Sequence, residues 1–299
     1  MLSRRAALVT ATAALATPAI AQSRAKVRFA GGGFALYGYM PFFIAIGQNL
    51  FAKHGSEAGI AQFPGGAKAM QALLGGSSDV VCGYYEHTIQ MAVKGAKLAA
   101  FVLQAQNSGL VLGFRKELAD QIKTPADLKG RKIGVGITQT AISAFERGDI
   151  DALSLFDPII ADLETRGKIS ILADARESAG TKAIFGGPYA SGCLYADAAW
   201  IPKNEAAVRG SAAAILEAVA FLKTATPDQA IAALQAGMCS VGQDVCTSAF
   251  TRNRDAFIHD GQVQSEMAET VRRMLATFDA AIAAAKIDLT AIYIARYVA

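Results

Sequence analysis

Residues 63–91, FPGGAKAMQALLGGSSDVVCGYYEHTIQM, constrain the fold more than any other stretch. Phe63-Pro64-Gly65-Gly66 reads as a strand end followed by a tight turn, because Pro fixes φ and Gly accepts φ > 0. Residues 67–74 place Met70, Leu73 and Leu74 at helical spacing. Gly75-Gly76 stops that helix. Residues 79–82 read as a short buried strand, with Tyr84, Tyr85 and Glu86 at its C-terminal end. The order strand, turn, helix, strand, turn, helix puts both turns on one edge of a parallel sheet. Open α/β sheets bind ligands at that edge. Helix N-termini meet there, with free N–H groups and a partial positive charge.

The alternation continues on both sides. Residues 26–30 alternate as a first strand, and 59–63 as a second. Strands are expected at 98–104, 110–114, 132–137, 151–157, 169–173 and 194–196. Thr124-Pro125, closed by Gly130, encodes a short capped helix. From Lys203 onward the chain is Ala-rich and helical, with helices at 206–223, 227–237 and 262–285. Val271, Met274, Leu275 and Phe278 share one face of the last. Residues 289–298 form an amphipathic tail. A parallel sheet flanked by helices follows.

The first 21 residues read as an export signal. Arg4-Arg5 supply the positive region, residues 6–16 the apolar region, and Ala19-Ile20-Ala21 a small-residue cleavage site. Ser3-Arg4-Arg5-Ala6-Ala7-Leu8 resembles a twin-arginine signal, with the general secretory route as the alternative. The apolar run is too short and too rich in Ala and Thr to be a membrane anchor. The 299 residues are 53% hydrophobic and 18% charged, enough for a large core and two lobes. Net charge is +4, and no basic run follows the leader, so nucleic acid is not an expected partner. Of the four cysteines, Cys239 and Cys246 flank a short loop and admit a local bridge. Cys82 and Cys193 sit in apolar contexts as packed side chains. His54, His87 and His259 have no metal-ligand spacing. There is no nucleophile elbow, P-loop or dinucleotide fingerprint. No catalytic residue, cofactor or metal is expected.

Five segments together resemble the periplasmic solute-binding proteins of ABC importers in the nitrate/sulfonate/taurine group, also called NMT1/THI5-like. They are FPGGAKAMQALLGGSSDVVCGYYEHTIQMAVKGAKL, TPADLKGRKIGVGIT, GDIDALSLFDPII, ILADARE and FGGPYASGCLYA. The likeness runs from Lys26 to the C-terminus. It implies a two-lobe α/β periplasmic-binding-protein-like fold of type II that closes on a small ligand about a hinge. Residues 22–107 plus 197–299 would form lobe one, and 108–196 lobe two. The implied function is a monomeric periplasmic receptor delivering a small solute to an inner-membrane ABC permease. A THI5-like pyrimidine-precursor protein is the alternative, and a ligand-sensing partner of a membrane signalling protein is a third reading. One departure stands out. Relatives usually carry a hydroxyl-rich turn, a helix, a strand and a second helix between the KIGVGI strand and the GDIDAL segment. Here residues 138–147 leave room for one parallel crossover, so lobe two should be shortened by a strand. Only Thr138, Thr140 and Ser143 remain as hydroxyl donors.

A closing receptor needs an aromatic wall, convergent polar groups and a hinge. Phe34, Tyr37, Tyr39, Tyr84 and Tyr85 follow strand ends and are candidate wall residues, against the alternative that they fill the core. Glu86 either accepts a hydrogen bond from a ligand amine or complements a helix dipole. Gly65 and Gly66 supply a permissive turn or donate backbone N–H groups. Asp157 fixes a ligand donor or caps the next helix. Tyr189 is placed between the lobes, and Gln106 is a hinge or ligand amide. Thr138 completes the candidate set. With no basic side chain evident at the rim, an uncharged or cationic nitrogen compound fits this set better than an anion.

Overall fold

The computed structural model describes residues 24–32, 37–63, 65–136, 139–234, 238–257 and 259–298. Phe34 and Thr138, both candidate site residues, lie outside them. The described strands are β1 (Ala25–Gly31), β2 (Ser56–Gln62), β3 (Val80–Tyr84), β4 (Leu98–Leu103), β5 (Val111–Arg115), β6 (Ile133–Val135), β7 (Ala152–Leu155), β8 (Ile169–Asp174) and β9 (Gly192–Asp197). They form a five-stranded sheet, β2-β1-β3-β9-β4, and a four-stranded sheet, β6-β7-β5-β8.

Neither sheet is purely parallel, which corrects the sequence expectation. β1 runs parallel to β2 and β3, but β9 is antiparallel to β3 and β4. The chain leaves the first sheet at the C-terminal end of β4 and returns to that same edge. The returning strand must therefore run the opposite way. In the second sheet β6 and β7 are parallel, and β5 is antiparallel to β7 and β8. Helix Gln139–Arg147 makes the one crossover from β6 to β7, as the short connection requires.

Packing on the first sheet explains its sequence. All six residues of β4, LAAFVL, are buried, because helices cover both faces and no alternation is needed. On one face Phe29, Phe42, Phe101 and Leu194 pack with helix Glu205–Thr224. On the other, Val81, Tyr85, Leu103 and Tyr195 pack with Val271 and Leu275. The second sheet has smaller clusters, built on Phe145, Leu153, Leu155 and Ile160 and on Phe114, Leu118 and Leu128.

Several helices differ from the sequence reading. The expected 262–285 helix is two, Ser265–Ala276 and Ala280–Ala284. Asp279 accepts hydrogen bonds from the amides of Ala281 and Ile282 and so starts the second as an N-cap. The 289–298 tail is mostly irregular, with a bridge from Tyr293 to Ala100 and a 3-10 turn at Ala295–Tyr297. Helices Ser178–Phe185 and Gln243–Asn253 carried no clear sequence signal. The latter holds Cys246, which is disulfide-bonded to Cys239. Thr124 and Asp127 form a capping box on the short turn Pro125–Leu128, as its sequence predicts.

Candidate functional site

The chain passes between the sheets twice, at 104–110 and at 175–191. A pocket of about 250 Å3 lies against both passages, lined by Tyr84, Glu86, Ser108, Leu110, Phe156, Phe185, Tyr189, Met274 and Phe278. Tyr84 ends β3 on the first sheet, and Phe156 follows β7 on the second. Their ring centroids are 5.8 Å apart. Phe185 and Tyr189 flank the Gly186-Gly187-Pro188 stop, where Gly186 adopts φ +77° as helix Ser178–Phe185 ends. That turn holds the two rings 4.9 Å apart.

Three expected residues meet here: Tyr84, Glu86 and Tyr189. The Tyr189 hydroxyl donates to Glu86 Oε2 at 3.1 Å. Burial pushes the Glu86 carboxyl above its ordinary pKa, against the opposing pull of Tyr189. Glu86 opens helix Glu86–Ala92 but makes no side-chain bond to that helix's amides. Among the described residues, Glu86 Oε1, the Tyr84 hydroxyl and Ser108 Oγ have no hydrogen-bond partner. They are the polar groups the pocket offers to a guest. Among the described residues, no Lys, Arg or His lines the pocket.

The other expected residues that are described do not line this pocket. Tyr39 is buried against Tyr84, with centroids 5.3 Å apart. Tyr37 is buried and donates to the Cys246 carbonyl at 2.7 Å. Tyr85 is fully buried in the core, its hydroxyl unpaired among the described residues. Gln106 donates from its side chain to the Asp255 carbonyl at 3.0 Å, within the first passage between sheets. Gly65 takes φ +154° ahead of helix Gly66–Leu74. Gly66 lies against His87: a Cβ there would come within 2.5 Å of the imidazole Cε1. Burial pushes that imidazole down to about 4, and its Nδ1 pairs with the Tyr195 hydroxyl at 3.0 Å.

Asp157 is fully enclosed and accepts from the Ala161 amide at 2.9 Å, the Asn253 amide at 2.7 Å and Arg176 at 3.2 Å. Sequence reading missed Arg176. Its side chain is 1% exposed and also pairs with Asp174 at 2.5 Å and Glu164 at 3.0 Å. Burial works against its charge, but the Asp174 hydrogen bond and the Asp157 carboxylate outweigh it and raise its pKa. Arg252 joins the network through Glu164 at 2.8 Å. Helix Gln243–Asn253 is thereby tied to β8 and to helix Ile159–Thr165. The ILADARE segment carried the signal, a lone Arg between acidic residues at a strand end.

Phe156, Phe185, Ser108, Leu110, Met274 and Phe278 also escaped the sequence reading as lining residues. Phe278 was expected on a core-facing helix stripe. The helix ends at Ala276, so the ring is 69% exposed and turns to the pocket. Among the described residues, no group of three or more His, Cys, Asp and Glu is placed to hold a metal ion. None of their helices is long and apolar enough to cross a membrane.

Two mixed sheets joined by paired passages, with a pocket between them, define the periplasmic-binding-protein fold, and solved structures agree. A protein of Bordetella bronchiseptica RB50 is 34% identical, with TM-score 0.85, covering 92% of this chain and 96% of its own. The periplasmic aliphatic sulphonate binding protein SsuA from Escherichia coli is 21% identical, with TM-score 0.68, covering 90% and 97%. The periplasmic nitrate-binding protein NrtA from Synechocystis PCC 6803 is 11% identical, with TM-score 0.66, covering 90% and 86%. The family model described as NMT1/THI5 like matches residues 38–147. The chain belongs to the NMT1/THI5-like family. No curated protein matches it.

Proposed function

We propose that the chain is the periplasmic solute-binding component of an ABC importer, without catalytic activity of its own. The observation that carries this reading is the pocket walled from both sheets, at the two passages of chain that connect them. Such a pocket is emptied and filled by a change in the angle between sheets. We further propose that residues 22–107 with 197–299 act as one lobe and 108–196 as the other. β9 (Gly192–Asp197) is the exception to that division: paired with β3 and β4, it moves with the first lobe although most of it falls within 108–196. The export signal, a monomeric state and a permease partner belong to the same reading. Ligand contact falls to Tyr84, Glu86 and Tyr189, while Tyr37, Tyr39, Tyr85, Gly65, Gly66, Gln106 and Asp157 shape the rim from behind.

The test is a melting-temperature screen of mature protein against a metabolite library, followed by X-ray scattering on each hit. A ligand at a hundred times its Kd should add roughly 2.7 kcal/mol of stability and reduce the radius of gyration. No stabilising compound, or stabilisation without contraction, would defeat the receptor reading.

A further inference from the structure

We infer that the pocket selects a small organic cation, an alkylammonium or amidinium, held by the Glu86 carboxylate inside a wall of aromatic rings. The inference rests on the receptor reading above and names the chemistry of its ligand. Of the nine described residues that line the pocket, five are aromatic and the one that is charged is a carboxylate. A cation over aromatic faces is attracted by their negative quadrupole, and the attraction grows when water is excluded. A carboxylate adds the counter-charge. Glu86 Oε2 is already bonded to Tyr189, which fixes the carboxylate plane, and Oε1 is left for the guest.

The orientation of Glu86 separates this role from a structural one. A carboxylate serving only the helix dipole would turn to the free amides of its own first turn. This one reaches across to Tyr189 on the second passage between sheets. Burial disfavours its charge, so a cationic guest relieves an unfavourable electrostatic situation that an anionic guest would worsen. Lining cations that would balance a sulfonate or nitrate are lacking among the described residues. The volume, about 250 Å3, falls below the ~300–1,000 Å3 of ordinary ligand pockets, which restricts the guest to a small molecule.

The experiment is calorimetric titration of mature protein with choline, ethanolamine and benzamidine. Taurine, methanesulfonate, nitrate and 3,3-dimethylbutan-1-ol, the uncharged isostere of choline, are the comparison set. One of the cations should bind, and choline should exceed its isostere by about tenfold or more. Glu86→Gln should lose about tenfold in cation affinity without lowering the melting temperature, since the amide removes a charge that burial disfavours. Phe278→Ala, at an exposed position, should weaken the same ligand about threefold with an unchanged melt. Binding of the anions alone, or equal binding of choline and its isostere, overturns the cation inference and leaves the receptor reading standing. A full metabolite library without a single binder takes down both.

Discussion

The two sheets are built to different standards. Every residue of β4 is buried, and the first sheet has a large apolar cluster on each face. In β6 the side chains of Ile133 and Val135 are 44% and 69% exposed, and most of β8 is half-buried. The first sheet is held by apolar area and the second by smaller clusters plus a buried ion network around Arg176. The difference teaches where rigidity is needed. A two-sheet molecule can fix one half and let the other follow, provided the second half is anchored at a few strong points.

Cutting into each sheet should expose the contrast. Phe101→Ala removes a fully buried ring from β4 and should cost about 3–5 kcal/mol of global stability, read from urea midpoints. Arg176→Ala leaves Asp157 buried without its counter-charge and should cost about 3–5 kcal/mol as well. Hydrogen exchange distinguishes the two: the arginine variant should lose protection in β5, β7 and β8 while β1, β3 and β4 keep theirs. Equal loss in both sheets would abolish the proposed division of labour.

Acid should reverse the contrast. His87 and His259 both sit at the first sheet, and burial pushes each imidazole down to about 4 from 6.5. The unfolded chain therefore takes up protons that the folded chain refuses. Stability falls as pH drops through the window from the unfolded value to the folded one, by on the order of 3 kcal/mol for each histidine. Urea midpoints at pH 7 and pH 4 measure the loss, and His87→Gln should flatten its share. Smallest of all, Val135→Thr on the exposed edge should change stability by under about 0.5 kcal/mol.

Much of the first sheet was legible in the sequence because its signals are local. The Gly-Gly stop at Gly75-Gly76 and the apolar 79–82 run each encode their own geometry, as does the capped Thr124-Pro125 turn beside the second sheet. Strand direction was not legible in the same way. That β9 runs antiparallel depends on which edge the chain returns to, and residues 175–191 carry no mark of it. The site divides likewise. Tyr84, Glu86 and Tyr189 could be found because they follow a strand end or a Gly-Gly-Pro turn. Tyr37 and Tyr85 sit in equally suggestive places yet face the interior, since a strand-end aromatic has the same sequence context on either side of a rim. Phe278 lies off the expected stripe because the first helix stops at Ala276 and Asp279 opens a new one as its N-cap.

The second sheet ends in β6, only three residues long, with apolar tips in solvent. A sheet margin of that kind is an invitation for another chain to add a strand. Its brevity limits the invitation: a visiting strand gains a few backbone bonds and little buried area. A three-residue margin is therefore a poor docking edge, and self-association through it should be weak.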